Sequence, residues 1–527
     1  MAFQTQKELK KRKALQLLDK PLEEVGIDPD TEINMELLQQ IFHDIDVFIT
    51  HPLLIEPKQE QVGDGPNKTL KGSVFFMDDL VDEKIIDLHV IRPILNMDPA
   101  KFDGHLEDTI ISAKKLTKIK TIKEAVQFIS MGVTFVHVDS MDYAVGVIAP
   151  SLPARSVSEP EAEPLVRGPR EGFTEKLQDN TGLVRKRIHS PDLKSETMRI
   201  GQRSQTTVVL MYMRDLVDDG VLKEAKRRLK NVDLDVLIES AQIEEVIEDN
   251  GLSPFPQIMN TERPDKVAAG LAEGRVAILM EGTPFALIIP SVFSDFLQAS
   301  EDYYQRFWFS SALRLLRIFT FLVALTGPSL YIAITTFHQE LIPTPLLFTL
   351  VSARSGVPFP ALTEALIMEV SFEILREAGV RLPRPVGSAV SIVGALVVGQ
   401  AAVQAGIISQ AMVIVVAFTG IASFTIPAFN LAMTTRLLRF AMMLAAAVLG
   451  LFGIACGLMI IGLHMCGLRS FGVPYMAPLA PTEFRSWSSE VFLAPYSWRK
   501  YRPGYLQRKD IQERSVRDNG EKEKDGE

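Results

Sequence analysis

The pattern of polar and apolar positions divides the chain into a polar first half and an apolar second half. No lysine occurs between Lys266 and Lys500, and charges are few from Phe307 to Arg469. Several runs are long enough to cross a bilayer, because about 20 apolar residues span its hydrocarbon core. The four predicted spans are 313–337, 386–405, 410–431 and 440–466. This pattern predicts an integral membrane protein rather than a wholly soluble one.

The prediction of four spans leaves one conflict. An even number of spans returns the basic residues Arg499, Lys500 and Arg502 to the cytoplasm, as the positive-inside rule favours. Arg436 and Arg439 would then fall on the opposite side. Three explanations stay open: these arginines face protein, they extend toward the membrane surface, or the number of spans differs from four.

A further amphipathic helix is predicted over 359–378. Its acidic residues recur at helical spacing, and they are Glu364, Glu369, Glu373 and Glu377. One interpretation is a helix at the membrane surface with its carboxylates in water. The other is an acidic vestibule, formed by Glu364, Glu369 and Glu373, that concentrates cations at the mouth of a pore.

The polar half contains two copies of one pattern. Each copy has a strand-like run, then Asp-Leu-Val-Asp (79–82 and 215–218), then a helical pattern that the last aspartate is placed to cap. Further along, each copy has a helix, a glycine (Gly132 or Gly274) and two strands joined by a tight turn. The predicted fold is an α+β cytoplasmic region of two repeated small α/β subdomains, followed by an α-helical transmembrane domain.

These patterns also set the predicted domain boundaries. They are a variable N-terminal extension (1–64), a first α/β subdomain (65–155), a linker (156–199), a second α/β subdomain (200–300), a helical membrane domain (301–470) and a cytoplasmic C-terminal tail (471–527). The N-terminus has a basic start but no apolar stretch of the kind that directs secretion. We therefore expect the α/β region in the cytoplasm.

Composition narrows the possible chemistry. The net charge of −9, without a basic stripe carrying aromatic residues, argues against binding to nucleic acid. The two cysteines are too few for a disulfide scaffold or a cysteine-based metal site. No phosphate-binding glycine loop, nucleophile triad or metal-ligand spacing is recognisable. The sequence predicts no enzyme, no cofactor and no metal site.

The second predicted span has a stripe of small residues. Small residues recur every four positions at Gly387, Ser391, Ala395 and Gly399, and an overlapping face of small or weakly polar residues consists of Ser388, Ser391, Ala395, Val398 and Ala402. Small residues let helices approach closely, so the stripe suits packing within one subunit. In a ring of subunits, the same face would line a narrow pore that opens and closes by wetting and drying. Both interpretations stay open on the pattern alone.

Several stretches resemble the A subunits of the GerA family of bacterial spore germinant receptors. In the polar half they are VRGPREGF (166–173), SPFPQI (253–258), TERPDKVAA (261–269), EGRVAILMEGTPFALIIP (273–290) and EDYYQRF (301–307). In the apolar half they include the runs 357–385, 391–409 and 468–478. The resemblance covers about residues 160 to 480, and the first 60 residues do not obviously share it. The sporulation protein SpoVAF is a close paralogue of these subunits.

The resemblance implies a location, partners and an activity. Such proteins lie in the inner membrane of endospores and work with a transporter-like B subunit, which binds the nutrient, and a lipoprotein C subunit. The A subunits form a ring, by resemblance a pentamer, around a channel through which monovalent cations leave the spore core. Transferred to this sequence, the pore-lining residues are those of the small-residue stripe, and the vestibule residues are the three glutamates named above.

The shared words also carry structural expectations. Thr261 or Asp265 is predicted to cap the helix that follows, with Pro264 in its first turn. The alternative is a contact that couples the cytoplasmic region to the pore, made by Thr261, Glu262, Arg263, Pro264 and Asp265. Arg170 and Glu171 are predicted to tie the two repeats together or to contact a neighbouring subunit.

Rival functions are an ion-release amplifier of the SpoVAF type and a membrane scaffold that conducts nothing. A packing stripe and a pore stripe look alike in sequence, so the scaffold stays open. A secondary transporter is disfavoured because the internal repeat lies in the polar half, whereas transporters repeat their spans.

Overall fold

The computed structural model describes residues 2–56, 69–99, 102–107, 116–150, 159–381, 399–495, 498 and 502–506. Four of the predicted pore residues, Ser388, Ser391, Ala395 and Val398, lie outside these ranges, as does most of the predicted span 386–405.

Two antiparallel sheets of five strands form the α/β region. The strands are β1 Phe48–Ile55, β2 Leu70–Met77, β3 Leu116–Ile119, β4 Val133–Val138, β5 Ala144–Ile148, β6 Leu193–Ile200, β7 Thr206–Met213, β8 Met259–Thr261, β9 Val276–Met280 and β10 Ala286–Ile289. The first sheet has the order β1-β2-β4-β5-β3, and the second has β6-β7-β9-β10-β8. The two orders are the same when each strand is matched to its counterpart, so the predicted repeat is confirmed.

The helices of the α/β region pack on these sheets. They are α1 Ala2–Leu18, α2 Thr31–Ile41, α3 Glu83–Ile86, α4 Arg92–Leu95, α5 Ile122–Ser130, α6 Leu177–Arg185, α7 Asp219–Lys230, α8 Ser240–Ile247 and α9 Pro264–Ala272. The two predicted aspartate caps are present. Asp82 accepts from the backbone N–H of Lys84 at 3.0 Å, and Asp218 accepts from that of Gly220 at 2.8 Å. Each cap satisfies an amide that the first turn leaves without a partner.

The first subdomain begins earlier than residue 65, which corrects the predicted extension 1–64. Strand β1 pairs with β2 along its whole length, and Leu37 and Leu38 of α2 are buried in the first core. The sequence pattern missed β1 because His51 and Pro52 interrupt its apolar run. A proline is tolerated there because β1 lies at the edge of the sheet. The second subdomain likewise begins with β6, before residue 200.

The two subdomains meet through a buried ion pair. Arg185 of α6 donates through Nε to Asp79 at 3.0 Å, and neither side chain is more than 3% exposed. The same guanidinium donates to Ser195 of β6 at 2.7 Å. Gly182 lets α6 approach this closely, because a Cβ atom there would overlap the carbonyl oxygen of Asp79.

The remaining elements form the helical part. They are α10 Phe307–Thr336, α11 Thr344–Arg354, α12 Ala361–Arg381, α13 Gln410–Phe424, α14 Phe429–Gly467, a two-stranded hairpin of β11 Arg469–Ser470 and β12 Val473–Pro474, and α15 Phe484–Glu490. Among the described residues, two helices, α10 and α14, are long and apolar enough to cross a membrane. Helix α13 is apolar but has 15 residues, fewer than the predicted span 410–431.

Helix α14 is folded back on itself rather than straight. Gly450 has φ +61° and ψ −139°, which is not a helical conformation. A Cβ atom on Gly457 would lie 2.5 Å from the sulfur of Met442, and one on Gly453 would overlap the carbonyl oxygen of Ala445. On a straight helix, residues as far apart as Met442 and Gly457 are separated by about 20 Å. The chain therefore reverses at Gly450, and the single predicted span 440–466 is replaced by two antiparallel halves, called here the Gly450 hairpin (429–467).

Both ends of the Gly450 hairpin lie against the second subdomain. Thr434 near its start donates a hydrogen bond to the carbonyl of Pro254, and His464 near its end lies 2.8 Å from the hydroxyl of Ser253. The tip lies at the far end of α10, where a Cβ atom on Gly450 would be 2.7 Å from the ring of His338. Each half has about 20 residues and is about 30 Å long, close to the thickness of the hydrocarbon core.

This reversal resolves the conflict over the arginines. Arg436 and Arg439 lie in the half of the hairpin that begins at the second subdomain, and both side chains are buried. They face protein, as the first of the three explanations has it, and the hairpin also departs from the single span 440–466 on which the conflict rests.

We expect Gly450→Ala to lower the free energy of unfolding of the full chain by about 1–3 kcal/mol, the usual cost of holding a non-glycine residue in a sparsely populated conformation. The added methyl group would also collide with His338. The measurement is the Tm of the detergent-solubilised chain. Gly462→Ala is the matched control, because a Cβ atom there meets nothing within 4 Å. Equal Tm values for the two variants would contradict the hairpin.

Candidate coupling site between the α/β region and the membrane helices

The loop 253–258 of the second subdomain is seated between the two ends of the Gly450 hairpin. Besides its bonds to Thr434 and His464, the loop accepts a 2.8 Å hydrogen bond through the carbonyl of Gln257 from the hydroxyl of Ser470, just beyond the hairpin. The hydroxyl of Ser470 in turn accepts from the backbone N–H of Ser291 at 3.1 Å. The motif SPFPQI, which forms this loop, therefore lies at the contact between the second subdomain and the helices.

An apolar cluster continues from the second sheet into the membrane helices. Its buried members near the junction include Phe255, Phe293, Phe296, Phe321, Ile426, Leu431, Met465, Leu468 and Tyr475. The rings of Phe293, before α10, and Phe321, within α10, lie edge to face with centroids 5.4 Å apart. Because interiors of this kind are closely packed, the base of the helices and the subdomain move as one body or must repack.

The hairpin of β11 and β12 adds polar contacts on the same surface. The backbone N–H of Phe471 donates to Asp249 at 2.5 Å, and the guanidinium of Arg228 lies 4.4 Å from the ring of Phe471. Arg228 also pairs with Asp249 at 2.5 Å. These contacts bind the chain that leaves α14 to helix α7 of the second subdomain.

Glu244 of α8 is buried at this junction beside the start of α14. Its one described side-chain hydrogen bond comes from the amide of Asn430 at 3.4 Å. Burial, together with the negative charges of Glu248 and Glu239, raises the pKa of Glu244 to about 8. Burial also raises the pKa of Glu248 to about 6. Two carboxyl groups therefore titrate near neutral pH at the junction: Glu244 beside the start of the Gly450 hairpin, and Glu248 beside loop 253–258, where it accepts from the N–H of Gln257 at 3.4 Å.

The motif TERPD holds the linker and the entrance to α10. Arg263 is 1% exposed and donates to the carbonyls of Pro169 at 2.8 Å and Glu163 at 3.2 Å. Asp265 accepts from Arg263 at 3.1 Å and from the hydroxyl of Tyr304, just before α10. The motif thus contacts the linker on one side and the chain entering the first membrane helix on the other.

The predicted helix-capping role of this motif differs from the contacts that its other residues make. Pro264 is the first residue of α9, as predicted, but the N-cap of α9 is Arg263 and no side chain bonds to the first turn. The predicted capping role of Thr261 or Asp265 is therefore wrong. Thr261 instead accepts from the N–H of Arg263 at 3.1 Å, and Glu262 accepts from the N–H of Ala162 at 3.1 Å.

Arg170 and Glu171 lie in the linker on the outside of the second subdomain. Glu171 pairs with Arg187 at 2.8 Å, and the side chain of Arg170, 72% exposed, is 4.0 Å from Glu159. These contacts stay within the linker and the segment after α6. They do not join the two sheets, which leaves the predicted contact with a neighbouring subunit as the open alternative.

The entrance to α10 carries a buried charge network. Asp302 pairs with Arg314 at 3.2 Å and with Arg317 at 2.6 Å, and its side chain has no exposed surface. Arg275 of the second subdomain makes two bonds to Asp295, one of them at 2.8 Å. Because separating one partner of a buried pair is costly, these pairs fix where α10 leaves the subdomain.

The glutamates of α12 are paired with arginines instead of facing open water. Glu369 binds Arg439 of the Gly450 hairpin at 2.7 Å, and each side chain is 1% exposed. The same guanidinium donates to the carbonyl of Ala324 in α10 at 2.7 Å. Helix α12 is therefore in contact with both α10 and the hairpin, and of its four predicted surface glutamates Glu377 alone is more than half exposed.

The two other glutamates have similar partners. Glu364 has no exposed side-chain surface, pairs with Arg354 at 3.2 Å and accepts the N–H of Ser409 at 2.9 Å. Glu373 is 24% exposed and pairs with Arg376 at 2.6 Å. These ion pairs within one chain do not test the acidic vestibule, which stays a prediction. Of the predicted pore residues, Ala402 alone is described, and it packs half-buried against the helical core.

Sequence reasoning missed the arginine partners of these glutamates and the role of His464. Arginines within an apolar run were the available signal for Arg436 and Arg439, since a membrane-embedded charge needs a partner. His464 gave no signal, because a single histidine at the end of an apolar run has many uses. Within the described ranges, no group of three or more His, Cys, Asp or Glu side chains is placed to hold a metal ion.

Two repeated α/β subdomains seated on membrane-length helices define a membrane-associated protein whose polar and apolar halves form one packed unit. Over residues 36–505 the chain matches the family described as Bacillus/Clostridium GerA spore germination protein. The chain belongs to this family, which confirms the resemblance drawn from its motifs. The match begins well before residue 160, so the family pattern extends further toward the N-terminus than those motifs indicated.

Individual relatives agree. Spore germination protein KA of Bacillus subtilis (strain 168) is 45% identical over 441 residues, which are 83% of this chain and 81% of that protein. The uncharacterized membrane protein YfkQ of the same organism is 43% identical over 519 residues, 97% of this chain and 98% of that protein. The crystal structure of the N-terminal domain of the A subunit of the Bacillus megaterium spore germinant receptor GerK3 is 28% identical; it covers 51% of this chain and 97% of that domain, with a TM-score of 0.39. Family and relatives give this chain a role in spore germination.

We expect Glu244→Gln to stabilise the full chain at alkaline pH. Since the pKa of Glu244 is about 8 in the folded chain, above the ordinary 4.5, the free energy of unfolding of the wild type falls as pH rises from about 4.5 to 8. The variant lacks this loss, so its Tm should exceed that of the wild type at pH 9 and match it near pH 4. Glu8→Gln, at an exposed carboxylate of α1 whose charge acts on neither Glu244 nor Glu248, is the control and should leave the Tm unchanged at both pH values. A Tm difference independent of pH would contradict the assignment.

We expect Arg439→Leu to destabilise the chain by about 3–5 kcal/mol, because it leaves the buried carboxylate of Glu369 without its cation. Adding Glu369→Leu should restore a large part of the loss, measured as the Tm of the detergent-solubilised protein. Arg381→Leu is the control: Arg381 pairs with Glu377 at the surface, where an ion pair contributes about 0–1 kcal/mol. Additive losses in the double variant would show that the two residues do not act as a pair.

Proposed function

We propose that this chain is the A subunit of a nutrient germinant receptor in the spore inner membrane and that it oligomerises into a nutrient-gated cation channel. Its partners are a transporter-like B subunit and a lipoprotein C subunit. Family membership and the relatives named as spore germination proteins support the receptor assignment. The observation that carries the gating proposal is that loop 253–258 binds both ends of the Gly450 hairpin, since this contact provides a path from the α/β region to the helices.

A cytoplasmic α/β region is supported by the placement of arginines. Arg314 and Arg317 lie near the start of α10, and Arg436, Arg439 and Arg469 lie near the two ends of the hairpin. All five are at the end of the helical part that contacts the second subdomain. Basic residues concentrate on the cytoplasmic side of a membrane, so we place the subdomains there.

The proposed pore is lined by the stripe Ser388, Ser391, Ala395, Val398 and Ala402. This stripe follows α12 directly, and α12 is held by the pair between Glu369 and Arg439. One subunit with few polar membrane residues does not enclose a pore, so the channel requires a ring of subunits, each contributing one small-residue helix. In this proposal a ring of Val398 closes the pore by excluding water.

In this proposal, Glu364, Glu369 and Glu373 face the cation path only when the channel is open. Glu373 is the one with partial exposure, whereas Glu364 and Glu369 are buried in pairs with arginine. Cations reach the two buried carboxylates only after those pairs separate. The acidic vestibule is thus proposed for the open channel, and the closed channel keeps the pairs intact.

Gating then follows from differential affinity. A nutrient-bound partner that binds the open arrangement more tightly shifts the population toward it. Movement of the second subdomain acts on both ends of the Gly450 hairpin, then on α12 through Arg439, and then on the pore stripe. A change in the α/β region therefore reaches the pore without a separate linker.

The test is potassium release from liposomes that contain the chain co-purified with its B and C partners. Wild type should release K⁺ only with nutrient, and Ser391→Trp should abolish release by filling the pore. Val398→Ala should leak without nutrient, because it widens the apolar constriction. Ser352→Trp, on the exposed face of α11, is the matched control and should release K⁺ as the wild type does.

Two results would sink the channel proposal. No release from an intact complex with its nutrient would favour a scaffold, and unchanged release from Ser391→Trp would remove the stripe from the pore. Deletion of the gene separates the receptor from a SpoVAF-type amplifier. A receptor subunit should abolish the response to particular nutrients, whereas an amplifier should slow the response to all of them.

A further inference from the structure

A cavity of about 340 Å³ lies where the second subdomain, the entrance to α10 and the C-terminal segment meet. Its walls come from α9, the turn Ser300–Tyr303, α15 and residues 502–503. Among the lining residues are Asp265, Glu273, Ala299, Tyr303, Tyr304 and Glu490. The volume is in the range of small-molecule sites, about 300–1,000 Å³, and exceeds what a single ion fills.

One wall of the cavity is a buried carboxylate without a cation. Glu490 is 5% exposed. Its described side-chain partners are all neutral: the amide of Gln298 at 2.6 Å and the hydroxyls of Tyr505 at 3.2 Å and Ser294 at 3.3 Å. Burial raises the pKa of Glu490 to about 7, and the negative charges of Asp295 and Glu273 act in the same direction against Arg275 and Arg314. A charge buried in this way is stabilised by an opposite charge placed beside it.

A second carboxylate in the wall has one oxygen unused. Asp265 accepts through Oδ2 from Arg263 and from Tyr304. Its other oxygen, Oδ1, is buried and has no partner among the described residues, with the side chain 9% exposed. Buried carboxylate oxygens are normally satisfied, and Asp265 lines the cavity, so a donor bound there would supply the missing partner.

Two of the cations that line the cavity are already engaged. Arg275 is bound to Asp295 and also contacts Glu273 at 3.2 Å. Lys266 pairs with Glu163 of the linker at 2.9 Å. Neither makes an ion pair with Glu490. Arg502 is the third cation in the lining and is engaged as well, so four lining carboxylates (Asp265, Glu273, Asp295 and Glu490) face three cations that each have partners of their own.

We propose that this cavity binds a small organic cation, an ammonium group on an apolar body, with Glu490 and Asp265 as its carboxylate partners. The phenol ring of Tyr304 suits such a ligand, because aromatic faces attract cations, whereas the ring of Tyr303 already has the guanidinium of Arg314 5.3 Å from its centroid. Met259, Ala269 and Ala299 supply apolar surface for its body. The site lies apart from the predicted pore stripe, and the proposal does not depend on channel activity.

Occupation of this cavity would act on the entrance to the first membrane helix. Tyr304 lies just before α10 and binds Asp265 of α9. The backbone carbonyl of Glu490 accepts from Arg314 of α10 at 3.2 Å. A ligand held by Asp265 and Glu490 therefore bridges the second subdomain, α10 and the C-terminal segment.

Isothermal titration calorimetry on the full chain in detergent tests the proposal, with n-butylammonium and choline as probes. We expect saturable binding of at least one probe and none of sodium butyrate or KCl at the same ionic strength. Glu490→Gln should weaken binding at least about tenfold, and Ala299→Trp should abolish it by filling the cavity. Glu245→Gln, an exposed carboxylate outside the cavity, should bind as the wild type does.

Several outcomes would overturn the proposal. They are no saturable binding of either probe, equal binding of K⁺, or full affinity in a Glu490→Gln variant whose Tm equals that of the wild type. A chain ending at Leu506 removes a segment with six basic residues. If either probe binds only after this truncation, the chain's own C-terminus is the occupant and the free-ligand site is refuted.

Discussion

The contact between loop 253–258 and the two ends of the Gly450 hairpin is the constraint on which the rest of the structure depends. This loop of the second subdomain binds Thr434 and His464. The two residues are 30 positions apart in sequence but lie close together because the chain reverses at Gly450. The apolar cluster around Phe255 and Tyr475 then continues from the sheet into the bases of the helices. A soluble region attached only by a flexible linker would transmit little force. A region whose core continues into the helix bases transmits any change in its position.

Buried charge is the second organising feature of the helical part. Each arginine that enters the interior meets a glutamate of α12 or a backbone carbonyl, as Arg439 meets Glu369 and Ala324. Such pairs are costly to bury and are weak evidence for stability. Apolar packing would hold α12 equally well, so the pairs are better explained by specificity. These ion pairs define one register between α12 and the Gly450 hairpin. If they separated, the two helices could adopt a different register.

The repeat could be predicted from sequence because its signals are local. An aspartate cap, a glycine at a left-handed turn and an alternating strand each occupy a few residues, as at 79–82 and 215–218. Strand β1 was missed because edge strands tolerate Pro52. The Gly450 hairpin was missed because Gly450 lies in an unbroken apolar run. The composition of such a run does not distinguish one straight helix from two antiparallel halves. Glu369 and Arg439 are 70 residues apart in sequence, so no local sequence pattern predicts that they form a pair.

The hairpin geometry limits how this protein can change shape. Both ends of the hairpin rest on one subdomain, so a shift of that subdomain displaces them together and tilts the hairpin about its tip instead of sliding one half past the other. The tip is fixed against His338 at the end of α10, where no side chain fits on Gly450. A tilt about this point moves Arg439, near the base, more than it moves residues near the tip. Because closely packed interiors change between discrete arrangements and do not deform smoothly, such a tilt would first strain the pair between Arg439 and Glu369, which joins the hairpin to α12.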